Sequence, residues 1–461
     1  MAKSRVLGAN KGIHRRNWIY YWIYPYVKFF FFHYYGKVEV KGLKNIPRNA
    51  PVIFAPNHQN ALMDALIVLF SAPGDMVFLA RADIFNKPLM AYLMNSLKIL
   101  PVFRQRDGAS ELGKNVDIFE ISVDLLKRKH NLCVMPEGNH GHQRKLRTIV
   151  KGIFRIAFKA QEESGAEPFV KIVPVGIDLG DYVKHNTTLF INYGEPIEIS
   201  EYWEQYVENN ARGINAIKKR LKDDLTPLMI DIQDEENYEA IYTLKEVYNE
   251  NMRINLGIRG GKLNQKFEAD KEFIRRIEAV TEKGSEEDKN LLKQLTDMAA
   301  QYKNGIEKLN IRDWVLRDKG YTFSRSLWRI CWLILTFPVF LYGFVNNAIP
   351  YFIPVRLVRN IKDRQFHSSV KAGLGILVTF PIMHGIQTLL VGIFTGPWWI
   401  WVAYMASLFV SGKLALAWYG AWKKTMRGTW FRIQLKRCNK DAWNLLGLRS
   451  QMVDKIWKLI G

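Results

Sequence analysis

An α/β domain around a central sheet with flanking helices is the fold this sequence predicts. A mainly helical, charged insert and a C-terminal transmembrane helical region follow it. Three observations predict this order. Between Val38 and Ile197, short apolar runs alternate with helical periodicity, as in a sheet flanked by helices. From residue 201 to 325 the chain is charged and largely helical. Beyond Arg325 come two long uncharged stretches, and a bilayer crossing takes about 20 apolar residues.

In chain order, residues 1–36 form an aromatic membrane-interface segment. Lys3, Arg5, Lys11, Arg15 and Arg16 come first. Then Asn17–Gly36 holds Trp18, Tyr20, Tyr21, Trp22 and Phe29–Phe32 with Lys28 as its single formal charge. Trp and Tyr favour the headgroup level of a bilayer, so this reads as an interfacial or shallowly embedded helix kinked at Pro25. A full span is the alternative, opposed by Lys28 in mid-run. No small-residue cleavage site follows.

The α/β domain occupies residues 37–200. Its strands are expected at Val38–Val40, Val52–Ala55, Met76–Ala80, Ile99–Phe103, Leu132–Met135, Val170–Val175 and Leu189–Ile191. Helices are expected at Ala65–Phe70, Lys87–Leu97, Glu111–Lys129 and Val150–Glu163. The charged region, 201–325, offers helices at Ile214–Leu225, Glu235–Glu250, Asp270–Glu282 and Ser285–Lys308, with no chemistry motif; its charges read as solvated faces.

Residues 326–420 are the transmembrane region. Ile330–Val355 carries no formal charge, and Ala372–Gly412 carries none beyond a possible one on His384. The second stretch has room for two helices turned at Thr395–Gly396–Pro397. Arg356, Arg359, Lys362, Arg364 and Lys371 precede this hairpin, and Lys413, Lys423, Lys424 and Arg427 follow it. Basic flanks mark the cytoplasmic side, so both ends are expected there. The first stretch has basic flanks too and is broken by Pro338, Asn346, Asn347, Pro350 and Pro354. Either it dips in and returns, or one flank breaks the rule. The tail, 421–461, has ten Lys/Arg against two Asp with Trp422, Trp430, Trp443 and Trp457 interleaved. It reads as basic amphipathic helices lying on anionic lipid.

Composition narrows the partners. Of 461 residues, 66 are Lys or Arg against 44 Asp or Glu, giving a formal charge of +22. That excess calls for an anionic partner. The aromatic content of 13% and the clustering of apolar residues favour membrane lipid over nucleic acid, for which no recognition motif is present. Cys133, Cys331 and Cys438 match no metal or redox spacing, which suits a reducing cytosolic face.

The chemistry gathers at strand ends. His58 follows the run Val52–Ala55, and Asp64 stands a turn or two further on. These are the parts of a general base and its orienter, or of a structural hydrogen bond. Arg104 and Arg106 follow the strand ending in Phe103, and arginine forks suit phosphate oxygens. An exposed-loop salt bridge is the plainer use. Pro136–Glu137–Gly138–Asn139–His140 follows the apolar strand through Cys133, and Arg144, Lys145, Arg147 and Lys151 come after it. This reads as a polar ligand loop or as a plain turn. Val173–Pro174–Val175–Gly176 ends a further strand.

In this order and spacing the four segments resemble the glycerolipid acyltransferase family, which includes lysophosphatidic acid and glycerol-3-phosphate acyltransferases. The resemblance covers about a third of the chain, 38–197. The family's Asn-His-x4-Asp motif maps to Asn57–Asp64, its post-strand arginine to Val102–Arg106, its Pro-Glu-Gly-Thr-Arg motif to Pro136–His140, and its Val-Pro-Val stretch to Val173–Val175. Two departures stand out. Five residues separate His58 from Asp64 instead of four, and Asn139–His140 replaces Thr-Arg. One extra residue turns a helical side chain by about 100°, so His58 must precede the helix or the turn must bulge.

The resemblance implies an acyl transfer with His58 as base and Asp64 as orienter. It implies substrate contacts at Asn57, Arg104, Arg106, Glu137, Gly138 and Asn139, with Arg144, Arg147 and Lys151 as further sources of positive charge. It calls for no metal and no cofactor beyond the acyl-CoA or acyl carrier protein thioester as co-substrate. The acceptor is expected to be a lysophospholipid such as lysophosphatidate, or glycerol phosphate. The catalytic domain of an integral membrane protein is expected on the cytoplasmic face. A membrane scaffold with an inert acyltransferase fold is the non-enzymatic alternative.

Overall fold

The computed structural model describes residues 12–103, 113–165 and 170–461. The chain forms two compact units, Met1–Asp231 with Ile361–Ala372, and Ile232–Asn360 with Gly373–Gly461.

The first unit is built on eight strands: β1 (Lys37–Lys41), β2 (Val52–Pro56), β3 (Met76–Arg81), β4 (Ile99–Val102), β5 (Asn131–Cys133), β6 (Lys171–Leu179), β7 (Thr188–Tyr193) and β8 (Ile197–Glu198). The order is β1-β7-β6-β2-β5-β3-β4, with β8 on β6. All neighbours run parallel except the β6–β7 and β6–β8 pairs. Every residue of β2 is buried, as befits a parallel strand covered on both faces and written as an unbroken apolar run.

All seven expected strands form. The eighth, β8, is two residues long and gives no periodicity to read.

Helices Ala61–Ser71, Pro88–Ser96, Asn115–Lys127 and Gly152–Ser164 flank the sheet. Ile53, Ala55, Leu132 and Ile172 from the sheet share one core with Ile121, Leu125, Phe154 and Phe158. Each Ile, Leu or Phe among them is worth about 1.5–3 kcal/mol when fully buried. Ile217 and Leu221 of helix Asn210–Leu225 join the same core.

The register places the site. Phe54 stands beside Cys133 and Val173, and Pro56 beside Val175. The carboxyl ends of β2, β5 and β6 therefore open at one edge, the usual ligand edge of a parallel sheet.

The N-terminal aromatic stretch is a helix, Trp18–Tyr34, with Pro25 inside it. The Asn17 side chain accepts the Tyr20 N–H at 2.9 Å and starts it. One side is packed, with the Phe31 ring 5.1 Å from Phe70. The other side leaves Trp18 71% and Trp22 69% exposed.

In the second unit, helices Tyr238–Asn255, Leu263–Lys283 and Glu286–Lys308 bury one apolar stripe each. Three segments are long and apolar enough to cross a membrane among the described residues: Phe323–Asn360, Phe366–Thr395 and Trp398–Lys436. The stretch read as possibly dipping and returning is one continuous helix, Phe323–Leu357, with all three prolines inside it. Its asparagines tie it to its neighbours instead of breaking it. Asn347 Nδ2 donates to the Leu408 carbonyl at 3.2 Å, and the Tyr404 hydroxyl donates to Asn346 Oδ1 at 2.6 Å. A β-carbon at Gly343 would fall 2.2 Å from the Ser411 carbonyl oxygen, so only glycine allows that helix contact. The expected turn at Thr395–Gly396–Pro397 forms, with Gly396 at φ +78°.

The tail requires a correction. Helix Trp398–Lys436 runs on through 421–436, and Lys440–Ile460 buries Leu445, Met452 and Ile456. Its apolar side packs on helix Glu286–Lys308, with Lys308 and Asp441 paired at 2.7 Å. That face has a protein partner and is not free to lie on lipid. Trp443 and Trp457 stay exposed.

Candidate active site

His58 leaves the end of β2, and Asp64 lies in the first turn of helix Ala61–Ser71. His58 Nδ1 donates to Asp64 Oδ2 at 3.0 Å. The same oxygen accepts the backbone N–H groups of Gln59 and Asn60, each at 2.7 Å. Three donors thus converge on one carboxylate oxygen, at a helix start where negative charge is favoured. With Nδ1 bearing the proton, Nε2 is left as the basic nitrogen. Asp64 is buried, while the His58 side chain keeps 13% exposure.

The extra residue between them is absorbed by the backbone. Ala61 has φ +43°, a left-handed value that a residue with a β-carbon rarely adopts. His58 thus precedes the helix, and the turn carries the bulge.

Glu137, beyond β5, holds the His58 backbone. Its Oε1 accepts the His58 N–H at 2.7 Å. Its Oε2 accepts the Arg147 N–H at 3.2 Å and Arg147 Nε at 3.1 Å. Burial pushes its carboxyl pKa up, and the donors from His58 and Arg147 oppose that shift. Gly138 sits at φ +66°, where glycine is the residue that fits without strain.

Other expected contacts fall elsewhere. The Asn57 amide is buried and spent on β6: Nδ2 donates to the Ile177 carbonyl at 3.1 Å, and Oδ1 accepts the Ile177 N–H at 2.6 Å. It clamps two strands instead of meeting a ligand. Arg144 is buried as well, bonded to Asp178 and to the Leu179 carbonyl. It is a strut and not a spare cation. Arg147 is tied to Glu137, although its Nη2 has no hydrogen-bond partner among the described residues. Lys151 is exposed beside the start of helix Gly152–Ser164. Arg104 and Arg106 lie outside the described residues.

The sequence reading passed over two features. His140 stands edge-on to His58, with ring centroids 5.5 Å apart. Beside it is a cavity of about 490 Å³ lined in part by Asn139, His140, Lys362, Arg364 and Gln365. The last three come from the basic stretch that the sequence offered only as a topology flank.

The fold and the His58–Asp64 pair define an α/β domain with a candidate site at its strand ends. Residues 37–178 match the Acyltransferase family, so the chain carries an acyltransferase-family domain. Over 124 residues the chain is 28% identical to a chloroplastic 1-acyl-sn-glycerol-3-phosphate acyltransferase of Arabidopsis thaliana, covering 27% of this chain and 33% of that protein. Over 145 residues it is 28% identical to the human 1-acyl-sn-glycerol-3-phosphate acyltransferase alpha, covering 31% and 46%. The similarity therefore spans between a third and a half of these relatives. A solved structure, the 1-acyl-sn-glycerophosphate acyltransferase PlsC of Thermotoga maritima, aligns at 20% identity with a TM-score of 0.31, covering 44% of this chain and 76% of that one.

Proposed function

We propose that the protein is a membrane-bound glycerolipid acyltransferase that moves a fatty acyl group from a thioester to a glycerol hydroxyl, with lysophosphatidate as acceptor. The observation that carries this is the 3.0 Å contact from His58 Nδ1 to Asp64 Oδ2, with the His58 backbone fixed by Glu137. A base held in one tautomer at the mouth of a parallel sheet suits proton removal from a hydroxyl.

The proposed reaction proceeds directly. His58 Nε2 takes the hydroxyl proton as the oxygen attacks the thioester carbonyl. Asp64 stabilises the imidazolium that forms. The tetrahedral intermediate collapses with C–S cleavage, and the departing thiolate receives the proton from His58. An ester and a free thiol result, so atoms and charge balance. The donor is an acyl-CoA or acyl carrier protein thioester. Glycerol 3-phosphate and other lysophospholipids are the alternative acceptors.

The test is an acyl-transfer assay of the full chain across these acceptors, with His58→Ala in parallel. Loss of a general base costs about 10²–10⁴-fold, so turnover should fall by that much while the protein still folds and inserts. A near wild-type rate in His58→Ala overturns the base assignment. A wild-type chain that transfers nothing to any acceptor favours the inert scaffold.

A further inference from the structure

We propose that Lys362 and Arg364, which lie outside the family-matched residues, form the binding site for a phosphomonoester on the acceptor. This rests on the acyl-transfer reading above and narrows it to acceptors that carry a terminal phosphate.

The stretch Ile361–Ala372 belongs to the compact unit of the sheet and is built into it. Ser368 is buried, and its hydroxyl donates to the Tyr182 carbonyl. Lys371 Nζ donates to the Val183 carbonyl. Buried Gln365 accepts from His140 Nδ1 through its Oε1. The Phe366 ring meets His140 edge-on at 5.0 Å. These anchors make the stretch a fixed wall of the 490 Å³ cavity, a volume within the about 300–1,000 Å³ of small-ligand sites.

The charges in that cavity are unevenly spent. Arg81 is paired with Asp83. Lys362 and Arg364 are exposed and have no ion-pair partner among the described residues. Asp363 is the single carboxylate among the lining residues, and its Oδ1 accepts the Gln365 N–H at 3.1 Å. The two arginines of the Gly138–Lys151 loop are committed elsewhere, Arg144 to Asp178 and Arg147 to Glu137, and Lys145 and Lys151 do not line the cavity. An ammonium and a guanidinium two residues apart suit a dianion with three oxygens, with the guanidinium supplying a fork.

His140 links this cavity to the base. Its ring lines the cavity and lies one ring away from His58. With the proton on Nδ1, Nε2 is a buried acceptor without a hydrogen-bond partner among the described residues, and Asp363 Oδ2 stands 3.9 Å off. Burial, reinforced by His58, pushes the His140 pKa down, so the ring adds no charge at neutral pH. A buried polar atom left open at a cavity wall calls for a polar group from outside, and an acceptor hydroxyl has the missing proton.

The test measures binding apart from turnover. The full-length His58→Ala protein in phosphatidylcholine nanodiscs is titrated with lysophosphatidate, glycerol 3-phosphate and lysophosphatidylcholine. At least one phosphomonoester should bind about tenfold or more tightly than lysophosphatidylcholine, and Lys362→Ala with Arg364→Ala should erase that preference. Arg364→Lys, which keeps the charge but loses the fork, should keep only part of it. Preference for lysophosphatidate alone names a lipid-borne phosphate, and equal preference for glycerol 3-phosphate names a soluble one. Undiminished preference in the double variant, or none in the His58→Ala background, overturns the proposal. A parallel wild-type transfer assay separates the two readings. Phosphomonoester binding without transfer sinks the acyltransferase and leaves the pocket, whereas transfer with unchanged preference sinks the pocket alone.

Discussion

At the scale of single residues, Ala61 reconciles a five-residue spacing with the His58–Asp64 hydrogen bond. Its φ of +43° stores strain of about 1–3 kcal/mol, as left-handed non-glycine residues do. Ala61→Gly removes the strain but loosens the unfolded chain, so the net change should stay within about 1 kcal/mol. Ala61→Val adds a branched β-carbon there and should cost about 1–3 kcal/mol, with turnover falling as Asp64 shifts from His58. Unfolding and transfer assays on both variants check this, and a Val variant as stable and active as wild type would remove strain from the account. The candidate residues His58 and Glu137 were legible because each sits just past an apolar run. The sign of a backbone dihedral leaves no mark in composition. Nor does the fate of Arg144, whose partner Asp178 comes from a distant strand; read in one dimension, a buried strut and a ligand-binding cation look alike.

Among the elements, strands were plain to read because parallel strands buried on both faces are written as unbroken apolar runs. The segment 361–372 was not, since its Lys and Arg carry the same signal whether they mark a membrane flank or line a cavity. The N-terminal helix shows a third case. Its aromatic richness was evident, but only the fold divides it into a packed side and an open one. Phe31 and Tyr24 rest on Phe70, in the helix that carries Asp64, while Trp18 and Trp22 are left exposed. We propose that this open side seats the site at the headgroups. Trp18→Ser with Trp22→Ser should then raise the KM for lysophosphatidate in vesicles several-fold and leave kcat in detergent micelles unchanged. An equal loss in both media would mean the tryptophans support the fold.

For the whole molecule, charge and apolar length together propose an orientation. Two uncharged stretches could be read directly, but their prolines and asparagines suggested breaks that the structure resolves as one helix, Phe323–Leu357. Proline persists there because neighbouring helices supply hydrogen bonds to the freed backbone: Thr379 Oγ1 donates to the Pro350 carbonyl at 2.7 Å. The outward faces remain apolar, with Leu335 80% and Phe394 85% exposed, a surface that water would not favour. Helix Phe323–Leu357 runs antiparallel to Trp398–Lys436, with Arg329 Nε donating to Thr425 Oγ1 at 3.0 Å and the Tyr404 hydroxyl to Asn346 Oδ1 at 2.6 Å. Arg356 and Arg359 therefore do not share an end with Lys423 and Lys424, although their charge suggested it. We propose that the turn at Gly396 lies across the membrane from the basic residues Arg325, Arg329, Lys423 and Lys424. Gly396 precedes Lys423 by 27 residues, about 40 Å of helix, enough for a hydrocarbon core of about 30 Å. Cys331 and Cys438 are exposed, so both are first replaced by Ser. Single cysteines at Gly396 and Lys423 are then probed with a membrane-impermeant thiol reagent in sealed vesicles of known sidedness. The first should label from outside and the second only from the cytoplasmic face, where donor thioesters are made. The reverse pattern would invert the orientation, and cytoplasmic labelling at both positions would mean that the hairpin enters the bilayer without crossing it.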